Sequence, residues 1–425
     1  MLRKDLCAFG LIHAIRQKFL KISDERQFSR TSNITLIDCL LSCFAVFSLK
    51  WPSLLQYEEE KKNPYVLKNL QDLYLIKTPP SDTYMRERLD EIDPNHLRPA
   101  FKKIFALAQR GNVLEQYQFL DGYYLFSLDG TGHFSSQKVY CPSCCVKNHA
   151  DGKHTYYHHM MGGAIVHPNR KEVIPFCPEP IQQQDGTKKN DCEQRASKRH
   201  LEALRREHPH LKIIVLQDAL ADTGPNVQLL ESLRMKYIIV SKRITFDWIN
   251  QSKFSQYEYK DELGNIHKYR FINDISLNGV YPDIKINFFE YVPITLGDKG
   301  KKYSWITNIP ITQENIHQLM LGGRSRWKIE NETFNTLKNQ GYHFEHNFGH
   351  GKKHLCTVMC FLMILAFLID QLQLICCKAY QEAKNIVRTF FSFWEKMRTF
   401  FCYLELNSWE KFLGLISRRI VLDTT

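Results

Sequence analysis

Two long apolar runs in this chain close on an aspartate. "YYLFSLDGTG" carries Asp129 and "LKIIVLQDALAD" carries Asp218, and a later helix-like stretch, "RSRWKIENETF", opens with Arg326 and Glu330. Acids at the ends of neighbouring strands of an α/β sheet share one rim, and a packed helix can bring a third carboxylate to it. Three converging carboxylates cannot all ionise cheaply without a cation between them. Hard oxygen ligands of this kind suit Mg²⁺ or Mn²⁺, and a pair of such ions stabilises both the attacking and the leaving oxygen of a phosphoryl displacement. The chemistry this points to is phosphodiester cleavage or transfer on DNA or RNA.

Each acid also has a plainer reading. Asp129 precedes Gly130 and fits a turn. Asp218 competes with Asp222, which could cap the helix beginning near Pro225. Glu330 could be a solvated helix acid paired with Arg326 one turn earlier, and Glu332 is a rival third carboxylate. The joint pattern carries the argument more than any single member.

The elements that must position these acids can be read from hydrophobic period. Residues from about 33 to 111 read as helical, with "ITLIDCLLSCFAVFSL" ending before Trp51-Pro52, Ser81-Asp82 opening another helix and Gly111 stopping the last. From Gln118 the period changes to strands: "YYLFSLDGTG", "YYHHMMGGAIVHP" and "KEVIPFCPEPI". A helix from about Asp191 to Glu207 follows, then the strand closing on Asp218, a helix in "GPNVQLLESLRM" and a strand in "KYIIVSKR". This order predicts a mixed α/β fold with a partly parallel sheet. Between residues 245 and 311 alternating apolar and polar residues with Gly-rich turns predict an antiparallel β insertion, long enough for a separate subdomain. The helix bearing Glu330 comes next, with Trp327, Ile329 and Phe334 expected to bury against the sheet. The resulting division is 1–115 (helical; DNA-end binding or a dimer element), 116–244 (first part of the core), 245–311 (β insertion), 312–376 (catalytic helix and core completion) and 377–425 (helical, basic tail).

The formal net charge of +12 and pI near 9.0 favour a polyanionic partner, because clustered Lys/Arg gain by releasing counterions from phosphates. The 13 cysteines, several inside apolar runs, read as reduced thiols packed as small hydrophobes, which implies a reducing cytosol. His13 and Arg16 break the first apolar run, so it does not read as a signal peptide. The uncharged run 355–369 stops at Asp370, short of the roughly 20 residues a membrane span needs, and reads as a buried helix. A basic helix carrying Lys188, Lys189, Arg195, Lys198 and Arg199 is either a solvated face or a track for the DNA backbone. Tyr303 and Trp305 could stack on an unpaired base but read better as core. Cys141 and Cys144 stand at zinc-knuckle spacing, with His154, His158 and His159 downstream. Structural Zn²⁺ needs two further ligands at a recognisable spacing, and none is unique here, so reduced cysteines in a loop are the favoured reading. Residues His343 to His354 line a DNA path or cap the next buried helix.

Together, "SLDGTGHFSSQKVYCPSCC", "PEPIQQQDGTKKNDCEQRASKRHL", "VLQDALAD" and "RSRWKIENETFNTLKNQGYHFEHNFGHG" resemble bacterial insertion-sequence transposases of the IS4-like DDE type, over roughly residues 126 to 370. The resemblance implies an RNase H-like (retroviral-integrase-like) catalytic core interrupted by a β insertion before the catalytic Glu. It also implies that Asp129, Asp218 and Glu330 hold two Mg²⁺ or Mn²⁺ ions, and that Arg326 and Lys338 touch transposon-end phosphates. Its partners would be double-stranded DNA, as terminal inverted repeats and as target, and a second copy of the chain in a homodimer. The setting would be the bacterial cytoplasm, on DNA and not at a membrane. This chain departs from the family where a Tyr is expected three positions before the Arg, which is Gly323 here, and Lys338 lies eight residues after Glu330 instead of seven. Rival readings are a metal-dependent nuclease of the same fold without strand transfer, and an inactive DNA-binding relic.

Overall fold

The computed structural model describes residues 6–24, 34–182, 192–242, 253–262, 265–293 and 302–420. Six helices come first: α1 (Ala8–Phe19), α2 (Leu36–Ser48), α3 (Leu54–Glu60), α4 (Pro64–Tyr74), α5 (Asp82–Asp90) and α6 (Arg98–Arg110). Their starts follow local chemistry. Thr35 and Asp38 form a capping box at α2, Asn63 caps α4 with Pro64 at its first position, and the Ser81 hydroxyl accepts from the Tyr84 amide to start α5.

The chain then enters the sheet through β1 (Tyr124–Ser136), β2 (Cys145–Asn148), β3 (His154–Val166), β4 (Ile174–Pro175) and β5 (Glu179–Ile181). Next come α7 (Glu193–Glu207), β6 (Ile213–Gln217), α8 (Gly224–Ser232) and β7 (Lys236–Val240). β1, β6 and β7 run parallel, connected through α7 and α8 as parallel neighbours require. β3 lies antiparallel on the other side of β1.

Four more strands, β8 (Ser255–Lys260), β9 (Ile266–Ser276), β10 (Lys285–Pro293) and β11 (Tyr303–Thr307), pair antiparallel with one another. The sequence suggested a separate β subdomain here. Instead β11 pairs with β7, and all these strands extend a single 11-stranded sheet. The alternating pattern fixes which face each residue takes but not which neighbour a strand's edge pairs with, and here β7 offers β11 its edge.

The last third is helical: α9 (Ile316–Arg324), a 3₁₀ turn Ser325–Trp327, a π-helical turn Ile329–Phe334, α10 (Asn335–Asn339), α11 (Leu355–Cys376), α12 (Lys378–Asn385), α13 (Phe390–Tyr403) and α14 (Trp409–Ile416). α11 is the one described helix long and apolar enough to cross a membrane, and nearly all of it is buried inside the protein. It packs against α2, α5, α12 and β4, so it joins the N-terminal helices to the sheet.

No side chain of its own caps α11. The Asp90 carboxylate, at the end of α5, instead accepts from the amides of Lys352, Lys353, His354 and Leu355 at 2.8–3.0 Å. Partial burial alone would raise its pKa, but the four amide donors outweigh it and hold the carboxyl below its ordinary value. A depressed folded-state pKa gives stability that is complete above the unfolded value of about 3.9 and is lost as pH falls through the folded one. Asp90→Asn should therefore cost about 1–3 kcal/mol at neutral pH. In urea unfolding its deficit relative to the unsubstituted protein should shrink as pH is lowered below about 4; a deficit that does not change with pH would remove the charge from this account.

Candidate active site on the central strands

The parallel pairing of β1 and β6 matches Tyr124 with Ile213 and Ser127 with Leu216, a constant offset of 89 residues. Asp129 and Asp218 are separated by the same 89 residues. Carried two residues past the last paired positions, the same offset brings Asp218 next to Asp129, and both line one cleft; Asp129 itself lies within β1, which runs on to Ser136 where its apolar run suggested a strand end. Residues level with one another in a parallel pair emerge on the same face. Asp218 sits one residue beyond β6, extended in backbone, and its Oδ1 accepts from the Leu220 amide at 3.1 Å to start a 3₁₀ turn.

Glu330 reaches this rim from the π-helical turn, a local widening often found at functional sites. Three contacts fix the turn on the sheet. The Ser127 hydroxyl donates to the Arg326 carbonyl at 2.9 Å, two residues before Asp129 on the same face of β1. Ile329 is fully buried. The Phe334 ring fills the notch over Gly162, where a Cβ would stand 2.8 Å from ring carbons. Gly162 is the residue paired with Asp129 across β1–β3, so the absence of a side chain there lets the turn approach.

Arg326 Nη1 joins the two acids, donating to Asp129 Oδ2 at 3.2 Å and Glu330 Oε1 at 2.9 Å. Asp129, taken out of water and facing the Glu330 carboxyl, is pushed up to about 7 despite the guanidinium. Glu330, which accepts a hydrogen bond from the protonated Asp129, is held below the usual carboxylate range. Without a further cation the pair holds one proton between its two carboxyls until pH rises through about 7. The donor set is all oxygen and carries more negative charge than Arg326 alone offsets, which fits a hard divalent ion.

A cavity of about 210 Å³ runs from Asp129 and Asp218 between α7 and α8, with Glu193, Lys198 and Asn226 on its walls. Glu193 escaped the sequence reading. It is the first residue of α7, its carboxyl folds against Gly130, and partial burial followed by the Asp218 charge raises its pKa. Acidic residues favour a helix's first turn anyway, so nothing in its spacing separates it from an ordinary helix acid.

The other sequence candidates distribute as follows. Asp222 is buried, accepts from the Ser241 hydroxyl and does not line the cleft, and Thr223, not Asp222, occupies the cap position of α8. Glu332 lines a different cavity with Lys171 and Tyr342. Lys198 borders the acidic cleft, Arg195 is exposed on the same helix, and Arg199 is tied to Glu179 at 2.8 Å. Lys338 pairs with Glu345 at 2.9 Å. Lys188 and Lys189 lie outside the described residues. Trp305 is buried, whereas Trp327, expected in the core, is 41% exposed. The 3₁₀ and π turns break the 3.6-residue period on which that expectation rested, and Lys328 Nζ sits 5.6 Å from the exposed ring. Cys141 and Cys144 are not on the walls of the acidic cleft; they meet His158 and His350 elsewhere.

No family model matches the chain, and no curated protein does. Among solved structures it is similar to a piggyBac transposase in a synaptic complex with hairpin DNA, at 10% identity and a TM-score of 0.41, covering 100% of this chain and 82% of that one.

Gly323 has a packing reason. A Cβ there would stand 2.6–3.0 Å from the Trp305 indole, which is held in place by the stacked Phe289 ring, centroids 5.1 Å apart. The indole occupies the space that a side chain at 323 would need. Gly323→Tyr should destabilise the fold by about 3 kcal/mol from overpacking. Combined with Trp305→Ala, the two losses should fall short of additivity by at least about 1 kcal/mol in a denaturant double-mutant cycle. Strict additivity would mean that the two positions do not compete for space.

Proposed function

We propose that this chain is a DNA transposase of the IS4-like DDE type, built on an RNase H-like core, which cleaves transposon ends and joins the freed 3′-hydroxyl to target DNA. The observation that supports this reading best is that Asp129 and Asp218 line one cleft, at the same 89-residue offset as the β1–β6 register, while Ser127 and Gly162 let the Glu330 turn approach Asp129.

In this reading Asp129, Asp218 and Glu330 hold Mg²⁺ or Mn²⁺, which when bound activate the attacking oxygen and stabilise the leaving one. Two displacements follow in the same site. Water attacks a phosphodiester at the element's end, breaking the P–O3′ bond of one strand to leave a 3′-hydroxyl on the element's side of the nick and a 5′-phosphate on the flanking side. That hydroxyl then attacks a target phosphodiester, forming one P–O bond as another breaks, with its proton passing to solvent. Arg326 neutralises the acids in the resting site and becomes free to contact backbone phosphate when a cation takes over that role, its planar guanidinium suiting two-point contact. Arg195, Lys198 and Lys338 supply further sequence-independent phosphate contacts. The segment 1–115 serves end binding or dimerisation, the 377–425 tail adds basic surface, and two copies hold two ends in the bacterial cytoplasm.

The test incubates purified protein and Mg²⁺ or Mn²⁺ with a labelled duplex carrying the inverted repeat that flanks the gene, plus a supercoiled plasmid. Cleavage followed by joining is expected, with both steps falling below detection in Asp129→Ala, Asp218→Ala and Glu330→Ala while DNA binding persists. Cleavage without joining would reassign the protein as a nuclease, and binding with no metal-dependent cut would make it a DNA-binding relic.

A further inference from the structure

Four side chains far apart in sequence bring their ligand atoms to one point. Cys141 and Cys144 form a tight turn before β2, with the Cys144 amide donating to the Cys141 carbonyl at 3.1 Å and the Cys141 amide donating to Cys144 Sγ at 3.4 Å. His158 comes from β3, and His350 from the loop between α10 and α11. All four residues are buried.

Their mutual distances describe a polyhedron. The two sulfurs are 3.9 Å apart; His158 Nε2 lies 3.4 Å from Cys141 Sγ and 3.3 Å from Cys144 Sγ. His350 Nε2 lies 3.3 Å from Cys144 Sγ and 3.2 Å from His158 Nε2. A tetrahedral zinc with bonds of about 2.3 Å to sulfur and about 2.05 Å to nitrogen requires edges of about 3.8 Å between sulfurs, about 3.5 Å between sulfur and nitrogen and about 3.3 Å between nitrogens. The five observed edges fall within about 0.3 Å of these values. Hydrogen bonding gives no reason for such a figure: two thiols and two neutral imidazoles have too few protons directed inward to satisfy so many edges at once.

We propose that Cys141, Cys144, His158 and His350 form a structural Zn²⁺ site. Two thiolates and two neutral imidazoles around Zn²⁺ make a centre with no net charge, which suits its burial. The His350 Nδ1 is 3.0 Å from the Gly351 carbonyl, so Nδ1 carries the proton and Nε2 presents its lone pair inward. Gly351, with φ +73°, allows the turn that brings the imidazole and this carbonyl together. A neighbouring set, His133, His158 and Cys356, offers three donors and shares His158, so it does not complete a closed site of its own. The ion would fasten the loop that follows the Glu330 helix to the β1–β3 hairpin that carries Asp129. The inference rests on this geometry and not on the transposase reading.

Zinc content and cobalt spectroscopy on the purified full-length chain test it. The unsubstituted protein should carry about one zinc per chain. Cys144→Ser and His350→Ala should lose it, while His154→Ala, at an exposed histidine on the same hairpin, and Asp129→Ala should keep it. Replacement by Co²⁺ should give the visible bands of a tetrahedral site together with thiolate-to-cobalt charge transfer. That readout needs no variant to fold. A chain that stays zinc-free when supplied with zinc and shows no thiolate–cobalt band would overturn the site. Zinc retained in Cys144→Ser but lost in Asp129→Ala would overturn it too, by placing the metal on the carboxylates.

Discussion

A buried ion pair between Lys50 and Asp370 is the contact on which the arrangement of the large pieces turns. Lys50 follows α2 in the N-terminal helices, and Asp370 lies deep in α11. Burial lowers the Lys50 pKa and raises that of Asp370, so each charge is tolerable only because the other is there. The Tyr342 hydroxyl donates to Asp370 at 2.6 Å and Tyr380 approaches at 3.3 Å, while the Lys50 ammonium sits 4.0 Å from the Trp394 ring centroid. Arg398 of α13 donates to the carbonyls of Leu49 and Lys50. One charge pair thus requires the N-terminal helices, α11 and the C-terminal helices to meet at a single place. Sliding or rotating α11 in its socket would part the Asp370 carboxylate from Lys50, Tyr342 and Tyr380 and leave a buried charge unpaired, which is strongly destabilising.

From that fixed helix the order extends in both directions to the candidate site. Asp90 holds the start of α11, and His350 in the preceding loop is directed at Cys141, Cys144 and His158. The same loop follows the π-helical turn that carries Glu330. The position of this acid over Asp129 is therefore bounded on one side by Ser127 and Phe334 against β1 and β3, and on the other by the capped loop. Held in that way, Asp129 and Glu330 approach closely enough to share a proton, an arrangement that a cation between them would relieve.

Local chemistry accounts for much of what was legible beforehand. The apolar run closing on Asp218, the capped start of α5 and the strand–helix alternation through β7 depend on residues a few positions apart and formed where their patterns lay, whereas β1 does not close at Asp129 but continues to Ser136, because pairing with β3 carries the strand through Gly130. The 89-residue spacing was visible as a number, but its meaning as a strand register needed the parallel pairing of β1 with β6. Trp327 was misplaced because a helical period was carried through a 3₁₀ and a π turn, whose cause is the seating of Ile329 and Phe334 on the sheet. The β strands after residue 253 were read as a unit, yet a strand's edge partner is not encoded in its own alternation.

The sequence by itself determined the kinds of element, their order and the supply of acids, because hydrophobic period, caps and turn residues act over a few positions. Only the tertiary structure decided which groups meet. Glu193 came within reach of the Asp218 charge because α7 begins against Gly130 of β1, and Gly323 proved to be the space that Trp305 fills. Cys141 and Cys144 found their second imidazole in His350, 192 residues beyond His158. No spacing rule spans such a gap, since the distance between two side chains separated by whole elements is set by how those elements pack and not by the chain between them.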